Sequence, residues 1–416
     1  MGSQVFPSSF KQYDVEFASV NEGFTRIRSL SEISNKETLT LTDTHLEDVG
    51  HRQHQYYASK LPWVAAKIRS LLLPLLKLEL PLLTWIQKLH TPLLNFYFLH
   101  TANLGSHTFY VIMLPIPAWF GYQDFLRDFI FTFGMGIVLT GWIKDSLCLP
   151  RPISPPLKRL TLSHYTAREY GCPSSHTANA TGVCFLLSAH LYMGTLNFGD
   201  NGNKYLILGM IWYWLSLVIG RMYCGMHGLV DIGAGAIIGI SVVLFRLAAA
   251  NFWDHIVIFS NGVLAVLAPF IIIAFHYTLI ILHPVPVEEC PCFEDSVAFI
   301  GVLLGLDLGH YLLAHSPWKN SDSLMPAVVP YDYSQLGILK TIARVILGVA
   351  SVAIWKTASK KILLKIKPIE IHEECYAYKN RWSWEIAVKT IVYAGISICV
   401  VGAKILFQVF GLGVDA

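Results

Sequence analysis

The feature that most constrains this chain is a series of long apolar runs that begins near residue 105 and recurs almost to the last residue. A bilayer core of about 30 Å is crossed by about 20 mostly apolar helical residues, and each run has that length. The sequence therefore predicts an all-α polytopic membrane protein, a helical bundle of about nine spans. The predicted spans are 105–122, 128–143, 177–195, 205–220, 228–249, 259–282, 296–315, 337–357 and 385–410.

The composition agrees with a membrane protein. Of the 416 residues, 54% are hydrophobic and 14% are charged, whereas soluble domains are about one quarter charged. The net charge of +3, spread over scattered basic residues, excludes a protein that tracks a nucleic-acid groove. The first 20 residues contain no apolar signal-peptide core, so membrane insertion is expected to use an internal span.

The chain divides into four predicted regions. Residues 1–60 are polar and rich in Ser, Thr and Glu, which predicts a disordered tail. Residues 61–104 mix leucines with basic residues and prolines, and we predict amphipathic helices that lie in the membrane interface. Residues 105–282 are expected to form a six-span core, and residues 283–416 a C-terminal membrane region with about three further spans.

Two polar segments interrupt the apolar core, at residues 144–176 and 220–231. The second span leads to one face of the bilayer, the third leads away and the fourth returns. Both segments are therefore expected at the same face, where their side chains can converge on one site. These side chains include the cations Lys144, Arg151 and Arg221, the histidines His176 and His227, Asp231, and the pair Ser174 and Ser175.

The residue types in these segments favour phosphate chemistry. Asp231 follows His227 by four residues, so one helical face brings them together, and the carboxylate can fix the tautomer of the ring. Two arginines and a lysine match the oxygens of a phosphate. Ser174 and Ser175 open a helix whose amides can meet an anion. Neither a carboxylate pair nor a Cys/His grouping with metal spacing appears in these segments, which favours phosphoryl transfer to a histidine without a metal.

Each residue also has an ordinary structural interpretation. Lys144 at the end of a span can extend its amine to the interface, and Arg221 can contact carbonyl groups or lipid phosphates. Arg151 can lie in a plain loop, His227 can cap a helix, and the Pro-Ser-Ser triplet can simply start one. The order of the residues, on one side and with compatible spacing, favours a shared site.

That order resembles a known three-part signature. The motifs Lys144-x6-Arg151-Pro152, Pro173-Ser174-Ser175-His176 and Gly220-Arg221-x5-His227-x3-Asp231 resemble those of the type 2 phosphatidic acid phosphatase superfamily. Ser175 stands where that superfamily usually has Gly, and Gly220 stands where it usually has Ser. Further segments between residues 100 and 310 resemble the fungal dihydrosphingosine-1-phosphate phosphatases.

The resemblance implies an endoplasmic reticulum enzyme that removes phosphate from long-chain base 1-phosphates, through a phosphohistidine and without metal or cofactor. His227 would be the nucleophile, Asp231 its orienting partner and His176 the general acid and base. The expected partners are the lipid bilayer and the lipid substrate. No nucleic acid is expected as a partner, and a homo-oligomer is compatible with the sequence. The phosphate would be bound by Lys144, Arg151, Arg221, Ser174 and Ser175.

Other functions stay open at this point. A broader lipid phosphate phosphatase would act on phosphatidate, a lipid phosphotransferase would pass the group to an alcohol, and a scaffold or transporter would only bind it. A haloperoxidase is disfavoured because that chemistry is found on soluble helical proteins. The choice of a sphingoid substrate rests on the resemblance, although Glu169 or Asp145 could pair with a substrate ammonium group.

Two observations give conflicting predictions for the side of the membrane on which the site lies. The basic segment 356–367, interpreted as a loop on the catalytic side, favours the cytosol by the positive-inside rule. The resemblance implies the lumen, which we expect. A lumenal site would allow a disulfide from Cys290 or Cys292 to Cys375, and reduced cysteines are equally compatible.

Overall fold

The structure is a computed structural model. It describes residues 48–106, 109, 113, 115–162, 166, 168–319, 330–368 and 381–414. These residues form helices and no strand, which confirms the predicted all-α class. Three short helical segments, His54–Ala58, Ala102–Gly105 and Pro115–Trp119, accompany the longer helices. The longer helices are α1 Trp63–Leu78, α2 Leu80–Gln87, α3 Pro92–Thr101, α4 Gln123–Leu147, α5 Ser175–Tyr192, α6 Gly199–Tyr223, α7 Leu229–Val257, α8 Gly262–Leu282, α9 Cys292–Ala314, α10 Tyr333–Ile366 and α11 Trp384–Val409.

Eight helical segments of the described chain are long and apolar enough to cross a membrane, which confirms a polytopic protein. They are Trp63–Gln87, then α4 from Phe125 onward, and α6 to α11. The predicted span 177–195 corresponds to α5, whose Ser, Thr, Asn and His residues keep it outside this set. The predicted span 105–122 lies partly outside the described residues. The interfacial placement of residues 61–104 stays a prediction, because Trp63–Gln87 meets the length and composition of a span.

The N-terminal helices are anchored to the bundle by a buried arginine. Arg69 of α1 is fully buried and donates to the carbonyl oxygens of Leu147, at 3.2 Å, and Gly50, at 2.9 Å. Tyr57 is also fully buried, and its hydroxyl donates to Glu288 at 2.5 Å. Most of the predicted tail lies outside the described residues. Its last part, from residue 48, contacts the core through these buried polar groups, and the boundary at residue 60 stays a prediction.

The centre of the bundle is α4, which packs against α5, α7 and α9, while α9 packs extensively against α11. The core between them is apolar and includes Phe133, Ile300, Leu303, Val401 and Phe407. Burying such side chains contributes about 25 cal/mol per Å² removed from water, and packing takes over this role where helices meet within lipid. The predicted core and C-terminal region therefore share one continuous hydrophobic interior.

A row of glycines brings α7 close to α5. A Cβ atom at Gly235 would lie 2.5 Å from the carbonyl oxygen of Ser174, and one at Gly239 would lie 2.8 Å from the amide nitrogen of Gly182. Residues 231, 235 and 239 are spaced by four and share one helical face. The same face that brings the helices together therefore directs Asp231 toward the start of α5.

One connection differs from its prediction. The basic segment 356–367, interpreted from the sequence as a loop, forms the last turns of α10, which continues to Ile366. The segment is helical because lysine and leucine are both good helix formers.

Candidate active site

Three segments of the chain meet at one end of the bundle: the residues after α4, the start of α5, and the junction of α6 and α7. The amide of Ser174 donates to the carbonyl oxygen of Asp231 at 2.9 Å. Arg151 Nη1 donates to the carbonyl oxygen of Met226 at 3.0 Å. The two polar segments of the sequence therefore lie at the same end, as span counting predicted.

His227 is held between a carboxylate and a guanidinium group. Its Nδ1 lies 3.3 Å from Asp231 Oδ2, and its Nε2 lies 3.1 Å from Arg151 Nη1. An ionised carboxylate only accepts hydrogen bonds and a guanidinium only donates them. The partners thus assign the proton to Nδ1 and leave the lone pair on Nε2. Asp231 is oriented in turn by the amide of Gly228, at 3.1 Å.

The protonation of His227 is set by its surroundings. The side chain is 2% exposed. Burial lowers the pKa of His227 well below its ordinary value, and the charges of Arg151, Lys144 and Arg221 lower it further. At neutral pH the ring is therefore uncharged, with a free electron pair on Nε2. A neutral imidazole of this tautomer can act as a nucleophile.

The three predicted cations, Lys144, Arg151 and Arg221, are all buried at this site, and we call them the cation cluster. Burial lowers the pKa of Arg151 to about 10, so it stays charged at neutral pH. Arg221 Nε is buried and has no hydrogen-bond partner within the described part of the chain. An unsatisfied buried donor is costly, and a bound anion would remove that cost.

The start of α5 brings the remaining predicted residues to the site. Ser174 caps the helix, since its Oγ accepts from the amide of Thr177 at 3.3 Å and from the hydroxyl of Thr177 at 3.1 Å. Ser175 and His176 follow at the first helical positions and are half-buried. A Cβ atom at Gly105 would lie 2.6 Å from His176 Cδ2, so the turn at Gly105 packs against this ring. His176 is thus more open to the surroundings than His227.

Two glutamates of the site carry contacts that the sequence analysis did not predict. Glu169 lies among the cations and contacts Lys144 Nζ. Glu79, at the joint of α1 and α2, accepts the amide of Val230 at 2.7 Å and so caps α7. The sequence contains one indication that Glu79 has a particular role, because it is the only carboxylate between residues 61 and 99.

The cysteine region differs from the predicted bridge. Cys290 is joined to Cys292 by a disulfide, whereas Cys375 lies outside the described residues. Ligand atoms of Asp145, Cys290 and Cys292 lie within 4.8 Å of one another, the one such grouping among the described residues. Cysteines joined to each other offer no thiolate to a metal, so this arrangement does not fit one.

The comparisons with known proteins agree with this geometry. The family model described as "PAP2 superfamily" matches residues 125–254, a range that contains all eight predicted site residues. A dihydrosphingosine 1-phosphate phosphatase of Saccharomyces cerevisiae is 37% identical over 372 residues, which cover 84% of this chain and 88% of the relative. The chain belongs to the PAP2 superfamily.

Within this superfamily, other relatives come from a range of organisms. A dihydrosphingosine 1-phosphate phosphatase of Schizosaccharomyces pombe is 36% identical, over 73% of this chain and 71% of the relative. Sphingosine-1-phosphate phosphatase 2 of Homo sapiens is 24% identical, over 73% of this chain and 74% of the relative. No solved structure matches the chain. This PAP2 protein is therefore placed with the fungal dihydrosphingosine 1-phosphate phosphatases, as the segments between residues 100 and 310 predicted.

Proposed function

We propose that this protein hydrolyses long-chain base 1-phosphates to the free base and inorganic phosphate through a phosphohistidine. The observation that carries the proposal is the state of His227, a neutral ring with Nδ1 toward Asp231 and its lone pair toward the cation cluster. The names of the relatives supply the substrate class, since they are phosphatases of dihydrosphingosine 1-phosphate and sphingosine 1-phosphate.

In the first step, His227 Nε2 attacks phosphorus and the ester oxygen departs. Arg151 exchanges its contact with Nε2 for a phosphate oxygen, which frees the lone pair. The positive charge that develops on the ring is stabilised by Asp231 through Nδ1–H. His176 donates its proton to the departing alkoxide, which leaves as the alcohol of the base.

In the second step, water hydrolyses the phosphohistidine. His176, now neutral, accepts a proton from the water as its oxygen bonds to phosphorus. The bond between phosphorus and Nε2 breaks, its electron pair returns to the ring, and inorganic phosphate leaves. The same histidine therefore serves as acid and then as base, and the enzyme returns to its starting state.

Transition-state charge is carried by the phosphate oxygens and met by fixed groups. Lys144, Arg151 and Arg221 neutralise these oxygens from a buried site, where electrostatic interactions are stronger than in water. The start of α5, at Ser174 and Ser175, adds amide and hydroxyl donors. Most of the rate enhancement comes from these preorganised charges.

The decisive experiment measures phosphate release by the detergent-purified full chain with EDTA present. Dihydrosphingosine-1-phosphate and phosphatidate serve as parallel substrates, and the His227→Ala variant serves as the control. Release from the sphingoid phosphate that resists EDTA and is lost in the variant would support the proposal. Preferential release from phosphatidate would replace the substrate class, and transfer to an added alcohol would indicate a phosphotransferase.

We further propose that the protein resides in the endoplasmic reticulum membrane with its site at the lumenal face. The resemblance to the fungal phosphatases supports this placement. A glycosylation acceptor introduced at Lys158, an exposed position near the site, tests the sidedness. A mass shift that is removed by endoglycosidase indicates the lumen, and an unmodified chain with a modified control loop indicates the cytosol.

A further inference from the structure

The carboxylate of Glu169 occupies the cation cluster. It contacts Lys144 Nζ directly, and its Oε2 lies 3.7 Å from Arg151 Nη2. The backbone carbonyl of the same residue accepts from Arg151 Nε at 2.9 Å. Glu169 is only 7% exposed, so these contacts are buried. Its negative charge therefore stands where the phosphate of a substrate has to bind.

A phosphate and this carboxylate compete for the same donors. The ammonium of Lys144 and the guanidinium of Arg151 are the groups that meet the phosphate oxygens in the proposed reaction. A phosphate monoester carries up to two negative charges, against one for the carboxylate, so it binds these donors more strongly. The displaced carboxylate would then be buried away from Lys144 and Arg151, which is unfavourable unless another cation meets it.

A long-chain base 1-phosphate brings a cation that can meet the displaced carboxylate. Its ammonium group is on the carbon next to the one that bears the phosphate ester, within a few bonds of phosphorus. The substrate is thus a compact zwitterion, and the site offers cations with a carboxylate beside them. A phosphatidate or a plain alkyl phosphate has a phosphate but no ammonium group.

We propose that Glu169 determines substrate specificity by exchanging partners. When the substrate binds, Lys144 and Arg151 contact its phosphate, and Glu169 pairs with the ammonium group of the base. This inference rests on the proposed function. In the absence of substrate, Glu169 pairs with Lys144 and Arg151. A zwitterionic substrate supplies an anion for Lys144 and Arg151 and a cation for Glu169, whereas an anionic lipid without an amine supplies no cation in exchange.

The test compares two single-chain phosphates, one with an amine next to the phosphate ester and one without. We expect kcat/KM of the full chain to favour dihydrosphingosine-1-phosphate over hexadecyl phosphate. In Glu169→Gln this preference should fall at least tenfold, which corresponds to a loss of about 1.4 kcal/mol of interaction free energy. Inorganic phosphate should inhibit the same variant more tightly than the wild type, because the competing carboxylate is gone. Glu169→Asp keeps the charge and should retain most of the preference.

A matched control is Glu79→Gln, a second buried glutamate near the site whose carboxylate accepts from Val230 instead. It should lower the activity on both substrates in proportion and leave the preference unchanged. Equal losses on both substrates in Glu169→Gln, with unchanged inhibition by phosphate, would overturn the inference and leave the hydrolysis intact. A wild-type protein without activity on the sphingoid phosphate would overturn the proposed function and this inference with it.

Discussion

Helix α4 carries buried charges at both of its ends, and the two ends differ in how those charges are paired. Lys144 belongs to the cation cluster, and Arg127 lies 17 residues earlier, about 25 Å away along a helix. The group around Arg127 is the distal charge cluster, which consists of Arg127, Asp128, Arg246, Asp254 and Asp307.

In the distal charge cluster every carboxylate contacts a guanidinium. Arg127 contacts Asp254 at 2.8 Å and Asp307 at 2.9 Å. Arg246 contacts Asp128 at 2.7 Å and Asp254 at 2.9 Å. These residues come from α4, α7 and α9, so the ion pairs join three central helices. Paired charges of this kind orient helices and leave no net cation for a ligand.

The cation cluster has the opposite balance. Three cations face the carboxylate of Glu169, while Asp231 is engaged with His227. The comparison teaches that buried charge alone does not indicate a site in this fold. An excess of buried cations beside the neutral ring of His227 distinguishes the candidate site.

The largest effect is expected for the nucleophile. His227→Ala removes the atom that bonds to phosphorus, so turnover through the covalent route should be abolished, while the helical content is preserved. Phosphate release and circular dichroism measure the two properties. The matched variant is His190→Ala, whose ring lies 3.1 Å from Asp128 at the distal end. It should remain active, and comparable activity in His227→Ala would refute the assigned nucleophile.

Removing one arginine at each end should separate activity from stability. Arg221→Met should lower kcat/KM by about 10²–10³-fold, the typical loss for one preorganised donor, with little change in thermal unfolding. Arg127→Met leaves Asp254 and Asp307 with fewer cations and should cost about 3–5 kcal/mol of stability. Kinetics and thermal unfolding in the same detergent provide the measurements. If Arg221→Met loses the greater stability, the contrast between the ends fails.

The glycine face of α7 should couple packing to activity. Gly235→Val places side-chain atoms against the carbonyl oxygen of Ser174, which lies 2.5 Å from the position of a Cβ atom. Overpacking of this kind typically costs about 1–3 kcal/mol and would move Asp231 away from α5. We expect a lower midpoint of thermal unfolding together with lower kcat. Gly233→Val is the control, since a Cβ atom at Gly233 meets nothing within 4 Å.

The smallest effect concerns the pH profile. Burial and the neighbouring cations lower the pKa of His227, so protonation should inactivate the nucleophile only at pH values below about 6.5, the ordinary value for histidine. Arg151→Gln removes one of these cations, so the pKa of His227 should rise and the acidic limb of kcat/KM should move to higher pH. The residual activity of the variant, followed from pH 4 to 8, tests this. If the acidic limb does not move, it reports the titration of a group other than His227.

Much of the site follows from spacing along the chain. His227 and Asp231 lie four residues apart, and a helix brings such residues together wherever it packs. The Pro-Ser-Ser triplet starts α5 as predicted, because Ser174 is a good helix cap. Span counting placed the polar segments at one face, since each crossing reverses the direction of the chain. These are local or topological properties, and they need no knowledge of side-chain packing.

Contacts between distant segments did not follow from the sequence. Glu169 and Lys144 are 25 residues apart, and Glu79 and Val230 are 151 apart. Each of these depends on how loops close and on which groups lose water together, which no periodicity records.

The amino-acid sequence therefore determined the class of the fold, the end of the bundle where the candidate site lies, and the residue types that form that site. Hydrophobic length and helical spacing are enough for these. The tertiary structure decided how the buried charges are paired: at Arg127 two arginines with three aspartates, and at Lys144 an excess of cations with Glu169 among them. The physical reason is that the energy of a buried charge depends on the partners within a few ångströms, and only folding brings those partners together.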